Sequence, residues 1–146
     1  MLCLRRSSIL LTLSAATTFL LVGCGNSKVA QCNEIIKIAN QAVSEAKQLT
    51  NGGQTDDPQA MIEAADAMDR AAQTMEELDL RDSELQDYRA GFIEMYAETA
   101  KATRDFVEAY KKKNRPGAES ALGNLQQATK PEPELIQGIN TYCKEN

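Results

Sequence analysis

The sequence predicts an all-α protein, an up-down-up-down four-helix bundle with a broken fourth helix. Apolar residues recur at steps of three and four over most of the chain, which is the spacing of one buried helical face. Alanine is abundant, whereas glycine and proline fall in a few clusters that would end helices. No segment shows a competing strand pattern. A chain of 146 residues is the right size for a single domain, which we assign to residues 33–146.

The first 23 residues have the features of a secretory signal peptide. Arg5 and Arg6 provide a positive start, and an apolar stretch follows over Ile9–Val22. This stretch is too short and wrongly flanked for an ordinary membrane-spanning helix. We therefore exclude residues 1–23 from the folded domain and expect the mature protein to be exported.

The signal ends in the motif Leu21-Val22-Gly23-Cys24. This motif resembles the lipobox of bacterial lipoproteins, which has an apolar residue three positions before the cysteine and small or apolar residues between. The resemblance implies cleavage before Cys24 and a diacylglycerol group on its sulfur. It also implies a bacterial membrane location facing the periplasm or the cell exterior, with residues 24–32 as a lipidated tether. The alternative is a plain signal peptide that happens to contain a cysteine.

Two cysteines remain in the mature chain, Cys32 and Cys143. An even pair in an exported protein predicts a disulfide, because exported thiols tend to oxidise. The alternatives are two free thiols or pairing between molecules. An even number of antiparallel helices returns the chain to its starting end, so the predicted bundle would place the two cysteines together. The chain contains no CxxC motif that would indicate redox catalysis.

The first two helices follow from their apolar stripes and their boundaries. Helix 1 is predicted from about Asn33 to Thr50, and Asn51-Gly52-Gly53 ends it because glycine accepts left-handed geometry. Helix 2 begins at Asp57-Pro58, where aspartate caps free amides and proline fits the first turn. The predicted inward residues are Ile35, Ala39, Ala42, Ala46 and Leu49 in helix 1, and Met61, Ala65, Met68, Ala72, Met75 and Leu78 in helix 2.

The second half of the chain contains a long helix and an interrupted one. Helix 3 follows Asp82-Ser83, with Ser83 and Gln86 as a capping box, and extends to about Lys113. A helical stretch from Ala118 to Thr129 and another from Glu134 to Lys144 form the broken fourth helix around Pro131 and Pro133. The predicted inward residues are Leu85, Tyr88, Phe92, Met95, Thr99, Ala102, Phe106, Ala109, Ala121, Leu122, Leu125, Ala128, Leu135, Ile139, Tyr142 and Cys143.

Charge is unevenly distributed along the predicted helices. Without Arg5 and Arg6 the chain has 14 basic and 21 acidic residues, a net charge of −7, which argues against nucleic acid as a partner. Acidic residues dominate from position 56 to 79, and a basic cluster lies near the predicted distal loop. The usual interpretation is solvated faces and cations near a helix C-terminus. The sharper one is a protein-docking surface formed by Lys111, Lys112, Lys113 and Arg115 and by Asp56, Asp57, Glu63 and Asp66.

The residues required for common catalytic and metal sites are missing from the sequence. There is no histidine, which excludes Ser-His-Asp catalysis and histidine metal ligation. The sequence has no phosphate-binding loop, dinucleotide motif or GxSxG motif. Met61, Met68 and Met75 lie one heptad apart; thioethers bind soft metals, but this is also the inward stripe of helix 2, so we predict core packing. No enzyme activity, metal or cofactor is predicted.

Two functional hypotheses remain. The first is a non-enzymatic membrane-anchored lipoprotein that binds or scaffolds another envelope protein. Its overall architecture is similar to that of extrinsic photosystem-associated lipoproteins of cyanobacteria, which implies an accessory subunit of a membrane complex, although no motif is shared. The second hypothesis is a carrier that holds a small ligand or a metal inside the bundle.

Overall fold

The computed structural model describes residues 27–145, and 82% of them are helical with no strand among them. The predicted all-α class is confirmed. The predicted signal peptide, residues 1–23, and the predicted lipidation site, Cys24, lie outside the described residues. The helical segments are α1 (Lys28–Leu49), α2 (Pro58–Glu76), α3 (Ser83–Lys111), α4 (Arg115–Thr129) and α5 (Glu132–Lys144).

Helix α1 begins five residues earlier than predicted, so residues 28–32 of the predicted tether are helical. Ser27 caps the helix, its Oγ accepting a hydrogen bond from Ala30 N at 3.2 Å. Gln31 and Cys32 are then buried in the first turns. The start predicted at Asn33 was wrong because tertiary contacts of Gln31 and Cys32, rather than the apolar stripe, fix this end of the helix.

The remaining helix boundaries follow local chemistry. Residues 51–53 adopt positive φ angles after α1, as the glycine pair predicts. Asp57 Oδ1 accepts from Gln59 N at 2.9 Å and caps α2. The cap of α3 is Asp82, whose Oδ1 accepts from Leu85 N at 3.1 Å, so the capping box predicted at Ser83 was wrong. Asp82 takes this position because its carboxylate reaches the free amide one residue earlier in the chain.

Helix α3 is the central element of the packing. Helices α2 and α4 pack along it, α1 packs against α2, and α5 contacts both α3 and α1. Helix α4 makes no extended contact with α1 or α2 within the described chain. Helices α4 and α5 are joined through residues 130–131 with a bend of only 14°. The prolines at this point therefore change the direction of the chain little.

The core is concentrated at the end of the molecule that holds Cys32 and Cys143, which we call the disulfide end. The largest fully buried side chains all belong to this region: Phe92, Ile35, Met75, Leu85, Ile139 and Cys32. Helices α3 and α5 approach closely there. A Cβ atom on Gly138 would lie 2.7 Å from the Tyr88 hydroxyl oxygen and 2.8 Å from its ring, so this position accommodates only glycine without rearrangement.

The opposite end of the molecule, the distal end, has a different interior. Its buried residues are mainly alanines, including Ala64, Ala65, Ala102 and Ala121. Two inward predictions fail here. Leu122 is 43% exposed, because α4 packs on α3 alone and this side chain faces the gap toward α1 and α2. Met61 and Met68 are only partly buried, whereas Met75 is fully buried.

Candidate functional site

The predicted disulfide is present and joins the two ends of the described chain. Cys32 and Cys143 are bonded, with their Cα atoms 6.0 Å apart. Gln31 Oε1 accepts hydrogen bonds from Arg81 N at 2.7 Å and from Asp82 N at 3.2 Å. The start of α1, the α2–α3 connection and the end of α5 therefore meet at one end of the molecule.

A hydrogen-bonded group around Tyr142 reinforces this junction. The Tyr142 hydroxyl donates to the Asp82 carboxylate, 2.9 Å from each oxygen. The backbone bond from Leu85 and the Tyr142 hydroxyl lower the pKa of Asp82, and the same carboxylate raises the pKa of Tyr142. Lys28 Nζ lies 3.8 Å from the centre of the Tyr142 ring and donates to Glu145 O at 2.6 Å. These contacts are structural and leave no group placed for catalysis.

The basic residues predicted for docking lie at the distal end of α3, about 40 Å along that helix from Ser83 at 1.5 Å per residue. We call residues 110–115 the distal tip. All four basic side chains are exposed. Lys112 pairs with Glu108, and Arg115 Nε lies 2.8 Å from Glu119 Oε1. The tip also borders a shallow hollow of about 520 Å³, lined by Tyr110, Lys111, Lys113 and Arg115 with Ala109, Asn114 and Ala118.

Two features of the distal tip were not found by sequence reasoning. Tyr110 is 57% exposed, with its ring stacked against Phe106 at 6.3 Å between centroids, although we expected the tyrosines to pack in the core. Lys113 has a φ angle of +52°, a left-handed conformation that glycine usually occupies at a helix end. The exposed aromatic ring is therefore held rigidly among cations, and one of those cations is kept in a backbone conformation that is unfavourable for lysine.

The predicted acidic residues of α2 do not form one continuous free surface. Asp57 caps the helix, and Glu63 accepts from the Gln59 amide on the same helix at 3.2 Å. Asp66 and Asp69 both contact Arg104 Nη2 on α3 at 2.6 Å, and the hydrogen bond from Asp66 raises the pKa of Arg104. Asp56 is exposed beside the start of the helix. These acids mainly orient α2 against α3.

A cleft of about 700 Å³ opens at the distal end between the last turns of α1, the first half of α2, the second half of α3 and helix α4. We call it the distal cleft. Its walls include Met61, Ala65, Met68, Phe106, Leu122 and Leu125. Among the described residues that line it, only Lys47 and Glu132 carry charge. The sequence gave no signal for this cleft, because it depends on the spacing between α4 and α1.

These features stand without support from similar proteins. Comparisons of the chain with protein-family models, curated proteins and solved structures find no match. Within residues 27–145, every helix is too short or too polar to cross a bilayer. The same residues contain no group of three or more Cys, Asp or Glu side chains placed to hold a metal ion. The distal tip and the distal cleft are therefore the two candidate sites, and their own chemistry has to carry the functional argument.

Proposed function

We propose that this protein is a lipid-anchored envelope protein that binds another protein through its distal tip and catalyses no reaction. The anchor rests on the lipobox-like motif before Cys24. The disulfide supports export, because such bonds persist in oxidising compartments and are rare in the cytosol. The described domain begins three residues after Cys24, so the disulfide end would lie close to the lipid.

The orientation follows if the helices run up-down-up-down with α4 and α5 as one broken fourth helix. Three contacts support this arrangement: Gln31 with the amide of Arg81, Glu45 with Arg70, and Asp66 with Arg104. In each neighbouring helix pair, a residue late in one helix meets a residue early in the next. In this arrangement the distal tip points away from the membrane.

The observation that carries the docking proposal is the exposed Tyr110 ring among the cations of the distal tip. Tyrosine and arginine are enriched among residues that dominate binding energy at protein interfaces. Lys111 and Lys113 have no ion pair among the described contacts, unlike Lys112 and Arg115. A partner segment that combines carboxylates with an apolar or aromatic side chain would match both the charge and the ring. We therefore propose an acidic segment of an envelope protein as the partner.

The docking proposal is tested by crosslinking in the native envelope. A photoreactive benzoylphenylalanine replaces Tyr110, and crosslinked proteins are identified by mass spectrometry. We expect one dominant partner and a loss of most of the crosslink when Lys113→Glu is added. Lys37→Glu is the matched control, because Lys37 is an exposed lysine on α1 far from the tip. A crosslink that both charge reversals leave unchanged would exclude the tip as the docking site.

The anchor is tested separately by metabolic labelling with an alkyne fatty acid. We expect the wild-type chain to incorporate the label and Cys24→Ala to remain unlabelled. An unlabelled wild-type chain would refute the anchor while leaving the docking test valid. An accessory subunit of a membrane complex is one form of this proposal, and it predicts that the crosslinked partner is an integral membrane protein.

The second candidate function is a carrier of a small ligand. The distal cleft favours it, because its volume falls within the range of about 300–1,000 Å³ that is typical of ligand pockets. No cluster of metal ligands within the described chain supports the metal-carrier version. Binding of a ligand to the cleft and docking through the tip are compatible, since they use different surfaces.

A further inference from the structure

We propose that the distal cleft binds an uncharged, compact apolar molecule with a ring or branched skeleton. This inference gives the ligand class for the second candidate function, the carrier, and does not depend on the distal tip. It rests on the chemistry of the cleft walls, on the dimensions of the cleft and on the partly exposed leucine at its edge.

The chemistry of the walls selects against a charged ligand. The interior is formed by thioether, aromatic, leucine and alanine side chains, including Met61, Met68 and Phe106. Three of the lining threonine hydroxyls already donate to carbonyls of their own helices. Thr50, Thr103 and Thr129 do so at 2.7, 2.8 and 3.0 Å. Few polar groups therefore remain to recognise a ligand by hydrogen bonding, and an uncharged ligand would lose little solvation on entering.

The dimensions argue for a compact skeleton. The cleft follows α3 from Thr99 to Phe106, about 10 Å at 1.5 Å per residue. It follows α4 from Leu122 to Glu132, about 15 Å by the same rise. A volume of about 700 Å³ over such a short length makes the cleft broad rather than tubular. A broad, short cleft fits rings or branches better than a single extended acyl chain.

The rim indicates that the cleft is covered when the protein is in use. Leu122 is one of four large apolar side chains that are strongly exposed among the described residues, and it lies at the cleft. Met61 and Met68 supply flexible, polarisable walls, a property of binding surfaces that adapt to their ligands. A ligand seated between Leu122 and the methionines would remove this apolar surface from water.

The test uses methyl NMR of the full chain in phospholipid nanodiscs, with ¹³C-methyl methionine and the uncharged probe N-phenyl-1-naphthylamine. We expect the Met61 and Met68 methyl resonances to shift on titration. The Met75 and Met95 resonances should stay in place, because these side chains are buried in the core of the disulfide end. The methionines thus provide both the sensor and the internal control.

The matched variants are Thr103→Phe in the cleft and Thr74→Phe on the exposed face of α2. Both remove a threonine hydroxyl bonded to the carbonyl four residues earlier, at 2.8 and 2.7 Å, and both add the same ring. We expect Thr103→Phe to raise the dissociation constant at least tenfold and Thr74→Phe to leave it within twofold. If Thr103→Phe does not fold, Thr99→Leu replaces it, and the wild-type methyl shifts still decide the question.

The other outcomes overturn the proposal in distinguishable ways. If Met61 and Met68 respond to dodecanoate but not to the uncharged probe, the ligand class is wrong and the carrier function survives. If neither probe shifts them, both are wrong, and the docking proposal is judged by its own crosslinking test. If the two resonances move on concentrating the protein alone, a second copy covers the cleft and the ligand proposal fails.

Discussion

The disulfide end and the distal end of this molecule are built from different side chains. The disulfide end buries large residues such as Phe92, Met75 and Ile139 and adds a covalent bond and the Tyr142–Asp82 hydrogen bonds. The distal end buries mainly alanine and leaves the distal cleft open. The contrast indicates that one end of the molecule supplies stability, which allows the other end to keep the exposed ring, the cleft and the strained Lys113 that binding requires.

Removing the disulfide should have the largest effect on this contrast. The bond joins residues 111 positions apart, so in the chain-entropy model the Cys32→Ala/Cys143→Ala variant should lose about 4–5 kcal/mol of unfolding free energy. Urea unfolding of the variant and the oxidised wild type gives this difference. Reduced wild type is the control, and it should behave like the variant. A loss below about 1 kcal/mol would mean that the disulfide end is stable without its crosslink.

Two phenylalanines on α3 compare the packing of the two ends directly. Phe92 is 2% exposed in the core of the disulfide end, whereas Phe106 is half-buried at the distal cleft. We expect Phe92→Ala to cost about 3–5 kcal/mol, as for a fully buried ring. Phe106→Ala should cost less than half as much, because its ring already faces an open space. Equal losses in thermal or urea unfolding would show that the distal end is packed as tightly as the disulfide end.

Two glycines should respond with opposite signs. Gly138 faces the Tyr88 ring at the disulfide end, whereas a Cβ atom on Gly123 in α4 would have no neighbour within 4 Å. Gly138→Ala should destabilise by about 1–3 kcal/mol through overpacking. Gly123→Ala should stabilise by about 0.5–1 kcal/mol, because alanine favours the helix. Calorimetric melting of both variants checks this, and destabilisation by Gly123→Ala would contradict an open surface there.

The parts of the fold that sequence predicted are those with local causes. Asn51-Gly52-Gly53 and Asp57-Pro58 mark their helix ends through conformations and caps that need no distant partner. The disulfide was predictable because only one pair of cysteines remains after Cys3 and Cys24 are assigned to the signal and the anchor.

The parts that sequence missed depend on distant residues. Helix α1 starts at Lys28 because Gln31 bonds to amides fifty positions away, which no local pattern reveals. Leu122 follows an inward stripe, yet its exposure depends on where α4 lies relative to α1. At the candidate site the basic residues of the distal tip were identified, but not the exposure of Tyr110 or the distal cleft. Both of these follow from the packing of several helices.

The backbone of Lys113 should separate stability from binding at the distal tip. Because lysine is strained at a φ angle of +52°, Lys113→Gly should stabilise the protein by about 0.5–1 kcal/mol. The same change removes a cation, so the Tyr110 crosslink to the partner should weaken. Lys111→Gly is the control, since it lies within the helix and should destabilise. An unchanged crosslink with increased stability would mean that the strain at Lys113 has no role in docking.

The smallest expected effect concerns the pH dependence at the disulfide end. The Leu85 amide and the Tyr142 hydroxyl lower the pKa of Asp82 in the folded state, so the folded protein binds fewer protons there than the unfolded chain. The stabilisation is therefore fully present above the unfolded pKa of about 4 and is lost as the pH falls through the folded value. Asp82→Asn keeps a capping side chain but has no charge to titrate, so its unfolding free energy should depend less on pH below about 4 than that of the wild type. Tyr142→Phe should fall between the two, because the Leu85 hydrogen bond remains. Parallel curves for all three proteins in urea unfolding at a series of acidic pH values would show that this junction holds the helices together without a contribution from the charge of Asp82.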